Sequence, residues 1–346
     1  MIQLKIKGLV AAVAFSAMFA GAAASADTTW TYSSWLPSGH RLNDDGVLAW
    51  AADVEKVTEG RVKIVAAPKV VGTVPAQYDV IRDGLAEVGL IVPGYTPGRF
   101  DLISIGEGPF LTDRSDVAAP AFAKLYEKWL APLNMFEGVH VASAFVTSPG
   151  HVFTKNPIKT VEDFKGLKLR SPLVGTIATI EALGAVPVQK SVSETYEMLS
   201  AGALDGSLAG IEQAKSFHLA DVTENLTIVP GALFNSALLL VVNQAAWDGI
   251  SAADQAAITE ISGAYFATNL GKSLLVAETD GIEEMKAKGK TVTRADDALT
   301  EQIRVNLEPQ VAVALEKYKT LGLTNAEEVL KDYKSMISDL EKELGK

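Results

Sequence analysis

The chain has 346 residues, 48% of them hydrophobic, with a formal net charge of −11 and no cysteine. The lack of cysteine excludes disulfides, thiolate metal sites and cysteine nucleophiles. The acidic balance, without any basic cluster, argues against nucleic acid or an anionic lipid surface as a partner. The length is enough for two domains, or for one large domain with an ample core.

The first 26 residues have the pattern of a signal peptide. Lys5 and Lys7 form a positive start, residues 8–24 are apolar, and Ala24–Ala26 matches a cleavage site. The alternative is a membrane anchor, but the apolar run is shorter than the roughly 20 residues that span a bilayer. We therefore expect a secreted chain that begins at Asp27 and carries a net charge of −13, because both lysines are removed.

The mature chain opens with a β-α-β-α-β order, which is typical of a parallel sheet covered by helices. Apolar residues recur with helical spacing from Leu42 to Thr58, and Gly60 and Gly84 stand where helix ends are expected. The predicted strands are 29–35, 61–66 and 87–92, and the predicted helices are 42–58 and 75–83.

The same order of elements recurs after Gly166. Ser191 and Glu194 form a capping box that opens a helix, and Gly184 and Gly202 mark helix ends. The predicted strands are 167–170, 186–188 and 203–208, and the predicted helices are 174–183 and 191–202. We interpret the two parts as similar α/β lobes.

The rest of the chain is predicted to form one more strand and then helices. Residues 234–243 predict a buried strand that carries the chain back to the first lobe. Helices are predicted at 252–287, 298–317 and 325–344, and the last has a face rich in Lys and Glu that suits solvent.

Arg170 stands at the end of the predicted strand 167–170, and Pro172 prevents that strand from continuing. Ligand crevices in open α/β sheets form outside the carboxyl ends of strands. A guanidinium is a permanently charged fork that suits a carboxylate. The alternative is a surface arginine in a salt bridge, and the local pattern leaves both open.

Signals for catalysis are weak. The chain contains no G-x-S-x-G, H-E-x-x-H, P-loop or G-x-G-x-x-G motif. No two histidines have the spacing of metal ligands, so we expect no metal, no cofactor and no enzyme. The histidines are His40, His140, His151 and His218.

The run Phe153–Arg170 resembles the most recognisable segment of the substrate-binding proteins of tripartite ATP-independent periplasmic (TRAP) transporters, the DctP-type family. Leu183–Val188, Ser193–Tyr196 and Leu199–Gly206 follow at spacing similar to that family, and Val242–Trp247 is similar to its "Asn…Trp" segment. The resemblance covers essentially the whole mature chain.

The resemblance implies an α/β, two-lobed periplasmic binding protein of the Venus-flytrap type, with interlobe crossing strands and a long bridging helix. Residues 27–147 plus 236–275 would form lobe 1, and 148–235 plus 276–346 would form lobe 2. A ligand binds in the cleft, the lobes close, and the closed form docks on a sodium-coupled membrane permease. Arg170 corresponds to the arginine that grips the ligand carboxylate, and we expect a periplasmic monomer.

Two departures from the family bear on the ligand. Sialic-acid-binding members have a second arginine upstream, where this chain has Ser148–His151, and an asparagine after Asp-Gly, where this chain has Ser207–Gly210. The poorer set of polar side chains favours a small organic acid with one carboxylate, either aromatic or a hydroxy or keto acid. A sulfonate stays open, because Arg170 suits either anion.

Further candidates for lining the cleft lie on loops after strands and beside the crossing strand. Each has a structural alternative: core packing for Trp35, a backbone cap at a hinge for Asn235, and an exposed loop for His151. Arg99 is a weaker candidate, since a salt bridge within its loop also accounts for it. The candidates are Trp35, Gln77, Tyr78, Tyr95, His151, Phe234 and Asn235.

Two rival functions stay open at this point. One is a binding protein that serves a different transporter or a chemoreceptor, with the same lobes. The other is a secreted α/β hydrolase, which needs a nucleophile or metal that the sequence does not supply.

Overall fold

A computed structural model describes residues 27–345, so the predicted signal peptide lies outside the described residues. No helix in residues 27–345 has the length and apolar character needed to cross a membrane. The strands are β1 (Thr28–Ser33), β2 (Val62–Ala66), β3 (Val88–Ile91), β4 (Val139–Val146), β5 (Gly150–Thr154), β6 (Lys168–Ser171), β7 (Val186–Gln189), β8 (Gly206–Gly210), β9 (Asn225–Ile228), β10 (Ala237–Asn243) and β11 (Thr291–Arg294). The helices are α1 (Ala49–Val57), α2 (Gln77–Arg82), α3 (Ser115–Leu125), α4 (Gly175–Ala182), α5 (Val192–Ser200), α6 (Gln213–Ser216), α7 (Leu219–Val222), α8 (Gln244–Asp248), α9 (Ala252–Glu260), α10 (Gly263–Ala287), α11 (Asp297–Thr320) and α12 (Ala326–Glu343).

The first sheet has the strand order β2-β1-β3-β10-β4. Strands β2, β1 and β3 are parallel, which confirms the sheet predicted from the β-α-β-α-β order. Strand β10 pairs antiparallel with both β3 and β4, so the complete sheet is mixed. The chain enters β10 from the second sheet, so its direction relative to β3 depends on tertiary structure. Local periodicity therefore did not predict it.

The second sheet has the strand order β11-β9-β5-β8-β6-β7. Strand β6 lies between β7 and β8 and is parallel to both, and this places Arg170 opposite Val188 and Ser207. The predicted capping box between Ser191 and Glu194 is present at the start of α5. Four glycines were predicted to end helices, and all four have the positive φ that suits this position: Gly60, Gly84, Gly184 and Gly202.

Two chain segments cross between the sheets, as predicted. The chain leaves β4 at Val146 and enters β5 of the second sheet at Gly150, and it returns through Phe234 to β10. The segments bind each other, because Thr147 N donates to Ser236 O at 2.9 Å and Gly150 N donates to Phe234 O at 2.8 Å. A Cβ on Gly150 would overlap the Phe234 ring, so the close crossing requires glycine there.

One hydrophobic core runs beneath the crossing segments and joins the two sheets. It contains Trp30 and Leu90 from the first sheet, Val152 and Leu208 from the second, and Phe234 between them. The crossing strands therefore pack into a dry core that both lobes share.

Helix α10 is the predicted bridging helix. It packs on α3 and β4 at the first lobe and on α6 and β11 at the second. The prediction of one helix over 252–287 was wrong, because the chain breaks between α9 and α10 and Gly263 has a φ of 53°. Two glycines in α10 allow its close approach: a Cβ on Gly271 would lie 2.6 Å from Ser115 O, and one on Gly281 would overlap the Ile211 carbonyl.

The division of the chain into lobes by residue number stays a prediction. Helix α12 packs against α3, with the rings of Tyr333 and Phe122 6.3 Å apart, and shares a core with the first sheet. This packing favours grouping α12 with the first lobe, although residues 276–346 were predicted to belong to the second.

Replacing Gly281 by alanine should loosen the contact between α10 and the second lobe. The added methyl group would strike the Ile211 carbonyl, so we expect Gly281→Ala to lower the free energy of unfolding by about 1–3 kcal/mol. The measurement is urea unfolding followed by circular dichroism. Gly175→Ala in α4 is the control, since its Cβ would come no closer than 4.0 Å to a neighbour. Equal stability of both variants would contradict this role of Gly281.

Candidate functional site

Arg170 is almost completely buried, with 1% of its surface exposed. Its Nε donates to Lys190 O at 2.9 Å, and its Nη1 donates more weakly to Leu208 O at 3.4 Å. Its Nη2 donates to Tyr95 Oη at 3.2 Å. The side chain is thus held at the carboxyl edge of the second sheet and reaches a residue of the first lobe.

These three partners of the guanidinium are all neutral, which leaves its charge uncompensated at short range. Burial lowers the pKa of Arg170, because desolvation disfavours the charged form, while Tyr95 and the more distant Glu194 act in the opposite direction. Glu194 itself pairs with Lys190 at 3.0 Å. A buried cation without an acid beside it is costly, so this site favours an added anion. The alternative of a surface salt bridge is therefore wrong.

Arg170 lines a cavity of about 40 Å³ between the lobes. Trp35 and Val92 contribute from the first lobe, and Pro172 and Val192 contribute from the second. The volume is too small for an aromatic ring, since a cavity that binds benzene measures about 150 Å³. Entry of a larger acid therefore requires the lobes or the side chains to move apart. The polar residues at the cavity are His40, Tyr95, Thr147, Glu212, Gln213 and Ser236.

A second cavity of about 250 Å³ is lined by residues such as Ile105, Glu107 and Tyr318. Gly94 and Leu173 also line it, and a Cβ on Gly94 would lie 2.6 Å from Leu173. Its walls are mainly apolar, and burial raises the pKa of Glu107 to about 8. Arg170 does not line this cavity, so the chemistry of the lining side chains favours the smaller one.

Two of the other predicted residues, Trp35 and Tyr95, meet Arg170 at the cavity. The indole Nε1 of Trp35 donates to Leu90 O at 2.9 Å, which fixes the ring against the first sheet. Tyr95 Oη also accepts from Val192 N at 3.1 Å. Tyr95 therefore links the first lobe both to Arg170 and to the start of α5 in the second lobe.

His151 lies inside β5 and does not line this cavity. Its Nδ1 accepts from Val229 N at 3.2 Å, and burial lowers its pKa to about 4, so the ring is neutral at pH 7. The alternative of an exposed loop histidine is wrong, since only 2% of the residue is exposed. The geometry gives His151 a role in joining β5 to the segment after β9.

Gln77 and Tyr78 serve the packing of the first lobe and do not line the cavity. Gln77 Nε2 donates to two carbonyls of the preceding loop, at 2.7 and 3.1 Å. Tyr78 Oη donates to Glu137 O at 2.5 Å. The guanidinium of Arg99 lies 4.2 Å from the centre of the Tyr78 ring and pairs with Asp79 on α2, so its salt bridge is to a helix and not within its own loop.

Phe234 and Asn235 belong to the returning crossing segment. Phe234 packs on Gly150, and Asn235 N donates to Glu107 O at 3.3 Å. The side-chain amide of Asn235 is fully buried and has no hydrogen-bond partner among residues 27–345. Neither residue lines the cavity that Arg170 lines.

Sequence reasoning missed several polar residues of the cavity, yet a signal for three of them was available. Glu212 and Gln213 follow β8 in the same way that Pro172 follows β6, so the argument from strand ends applies to them too. Ser236 adjoins the candidate Asn235. His40 gave no such signal, because it lies in the loop before the first helix and reaches the cavity only through tertiary packing.

The chain matches the model of the family described as "Bacterial extracellular solute-binding protein, family 7" (DctP) over residues 34–318. It belongs to this family. The predicted resemblance to the DctP-type proteins of TRAP transporters is thereby confirmed. The members are extracytoplasmic solute-binding receptors.

Similar proteins of known structure share the two-lobed fold. A TRAP periplasmic solute-binding protein from Bordetella bronchiseptica, with bound (R)- and (S)-mandelate, is 30% identical, with a TM-score of 0.86 over 90% of this chain and 99% of that one. A marine metagenome TRAP protein in complex with 3-hydroxybenzoate is 25% identical, with a TM-score of 0.85 over 91% and 99%. A Comamonas testosteroni relative named "Outer membrane transporter protein TsaT" is 28% identical over 84% of this chain and 86% of its own length.

The buried Glu107 should make the stability of this DctP-type protein depend on pH. The folded protein keeps a proton on Glu107 up to a pKa of about 8, whereas the unfolded chain releases it near the ordinary value of 4.5. Stability should therefore fall as pH rises from about 5 to 8, by at most about 1.4 kcal/mol per pH unit from this group. Chemical unfolding of wild type and Glu107→Gln across this range measures the difference.

The control for that series is Glu308→Gln on the exposed face of α11. It should follow the wild type at every pH. A Glu107→Gln variant with the same pH dependence as the wild type would show that Glu107 is ionised in the folded protein.

Proposed function

We propose that this protein captures a small organic acid between its lobes, holds the carboxylate with Arg170 and delivers the acid to a sodium-coupled TRAP permease. The observation that carries the proposal is the burial of Arg170 beside a cavity with only neutral hydrogen-bond partners. An acid that enters supplies the missing negative charge. In a dry site such a charge-assisted pair is far stronger than one in water.

The ligand that fits best has one carboxylate and an apolar or aromatic body. Apolar side chains such as Trp35, Val92 and Phe217 line the cavity, and Arg170 is its one arginine among the described residues. The mandelate bound to the Bordetella relative and the 3-hydroxybenzoate bound to the metagenome relative are acids of this class. We therefore propose an aromatic monocarboxylate or a hydroxy or keto acid.

Closure of the lobes is a shift of population in this proposal. Arg170 belongs to the second sheet, and Trp35 and Tyr95 belong to the first lobe, so a ligand touches all three only when the lobes are together. A ligand favours the state in which it makes more contacts. The permease then distinguishes the closed, loaded protein from the open one.

The location and assembly in this proposal rest on the sequence and on the family. The pattern of residues 1–26 supports export by a signal peptide, and family membership supports a periplasmic partner of a permease. We propose a monomer, because one chain supplies both walls of the cleft. Calorimetric titration with mandelate, benzoate, succinate and sialate tests the ligand class. Tight binding of succinate or sialate without any monocarboxylate would overturn it.

Replacing Arg170 by methionine should abolish binding without weakening the fold. The change removes the carboxylate contact, so we expect the affinity for the bound acid to fall at least about 100-fold, a loss of about 2.7 kcal/mol. Unlike most buried charges, Arg170 has no short acidic partner to leave behind, so the free energy of unfolding should stay equal or rise. Calorimetry and urea unfolding measure the two effects.

Arg99→Ala is the control for Arg170, because Arg99 lies over Tyr78 on the first lobe and away from the cavity. Its affinity should match that of the wild type. If Arg170→Met binds within about threefold of the wild type, Arg170 is not the anchor.

Replacing Tyr95 by phenylalanine should weaken binding while Arg170 stays in place. The change removes the hydroxyl that accepts from Arg170 and from Val192, so the guanidinium loses its support from the first lobe. We expect about tenfold weaker binding, the effect of one hydrogen bond. Tyr78→Phe also removes a hydroxyl from the first lobe, but one bonded to Glu137 O, and its affinity should not change. Equal affinities of the two variants would contradict the role of Tyr95.

A further inference from the structure

Glu212 places a buried carboxyl group at the edge of the cleft. It follows β8 directly, only 5% of the residue is exposed, and it lines the same cavity as Arg170. Its carboxyl group folds back over Gly210, the last residue of β8, where a Cβ would overlap it. Glycine at this strand end is what allows the acid to lie there.

The positions of Glu212 and Arg170 are tied to each other by the second sheet. Strands β6 and β8 are parallel neighbours, and Arg170 Nη1 donates to Leu208 O. Gly210 lies two residues further along β8, which is roughly 7 Å at the usual rise of a strand. Glu212 and Arg170 also line the same cavity, so a small acid that enters it can meet both side chains.

The surroundings of Glu212 favour its uncharged form. Burial raises the pKa of the carboxyl to about 7, although hydrogen bonding from Ser148 and Gln213 acts in the opposite direction. Its Oε2 has no hydrogen-bond partner among the described residues. Glu278 on α10 is also buried and is bonded to the Ser115 hydroxyl. Burial raises the pKa of Glu278 well above its ordinary value, and the nearby Glu212 raises it further. A protonated Glu212 can donate a hydrogen bond and accept one.

We propose that Glu212 is a second polar anchor, which selects acids that carry a hydroxyl or keto oxygen next to the carboxylate. This inference rests on the proposed function, in which Arg170 holds the carboxylate. Glu212 then contacts the neighbouring oxygen, and the apolar wall takes the rest of the molecule. An acid without that oxygen leaves the buried carboxyl unpaired, which costs affinity.

The test compares mandelate with phenylacetate, two acids that differ only in the hydroxyl next to the carboxylate. Calorimetry on the full mature chain should give about tenfold tighter binding of mandelate to the wild type. Glu212→Gln keeps a donor and an acceptor and should retain the preference within about threefold. Glu212→Met has a similar volume but neither a donor nor an acceptor. Its ratio of mandelate affinity to phenylacetate affinity should fall to about one, while its affinity for phenylacetate stays within about threefold of the wild type.

Gly210→Ala is a second route to the same result, because the new methyl group displaces the Glu212 carboxyl without removing it. This variant should lose the preference for mandelate over phenylacetate, as Glu212→Met does. It serves as the test if the methionine variant does not fold. The inference is overturned if either variant weakens both acids equally, or if the wild type binds them equally well. Those outcomes leave the proposed function intact, whereas a wild type that binds no monocarboxylate at all overturns both.

Discussion

The buried charge of Arg170 is the constraint on which the rest of the site depends. A guanidinium is always charged at physiological pH, so the fold cannot remove the cost of desolvation by releasing a proton. Two carbonyls and a phenol meet part of its hydrogen-bonding capacity, and none of the three supplies a negative charge. The free energy that an anion recovers there is therefore large. In an acidic protein, affinity for an anion has to arise from such a local source.

In the proposed function, the contact between Arg170 and Tyr95 also connects recognition of the ligand to the movement of the lobes. Tyr95 reaches from the first lobe to Arg170 and to the start of α5, so the closed arrangement has a polar link of its own. The 40 Å³ cavity describes a tightly closed cleft. A ligand can shift the balance between open and closed forms only by its difference in affinity for the two. The crossing segments and α10 remain packed on both sides and limit the directions of that movement.

Local sequence signals predicted local structure well here, and tertiary contacts account for most of the misses. The strand before Pro172, the capping box at Ser191 and the helix ends at glycines depend on neighbours along the chain, and all are present. Strands β4, β5, β9 and β11 were not predicted, because their pairing depends on segments that are distant in sequence. Gln77 and His151 were predicted to line the cleft, but each is bonded to main-chain groups instead. The partners of Gln77 lie in the preceding loop, whereas Val229, the partner of His151, is distant in sequence.

In the proposed function, the buried acids explain how an overall acidic chain still attracts an anion. Glu212 lines the cavity and Glu278 lies near Glu212, and either would repel a carboxylate if it were ionised at short range. Burial raises the pKa of both carboxyl groups, and the nearby Glu212 raises that of Glu278 further. In the proposed function, protonation of these acids leaves the positive charge of Arg170 dominant in the closed cleft. The exposed carboxylates that give the protein its net charge act mainly through water and salt, which screen them beyond about 8–10 Å.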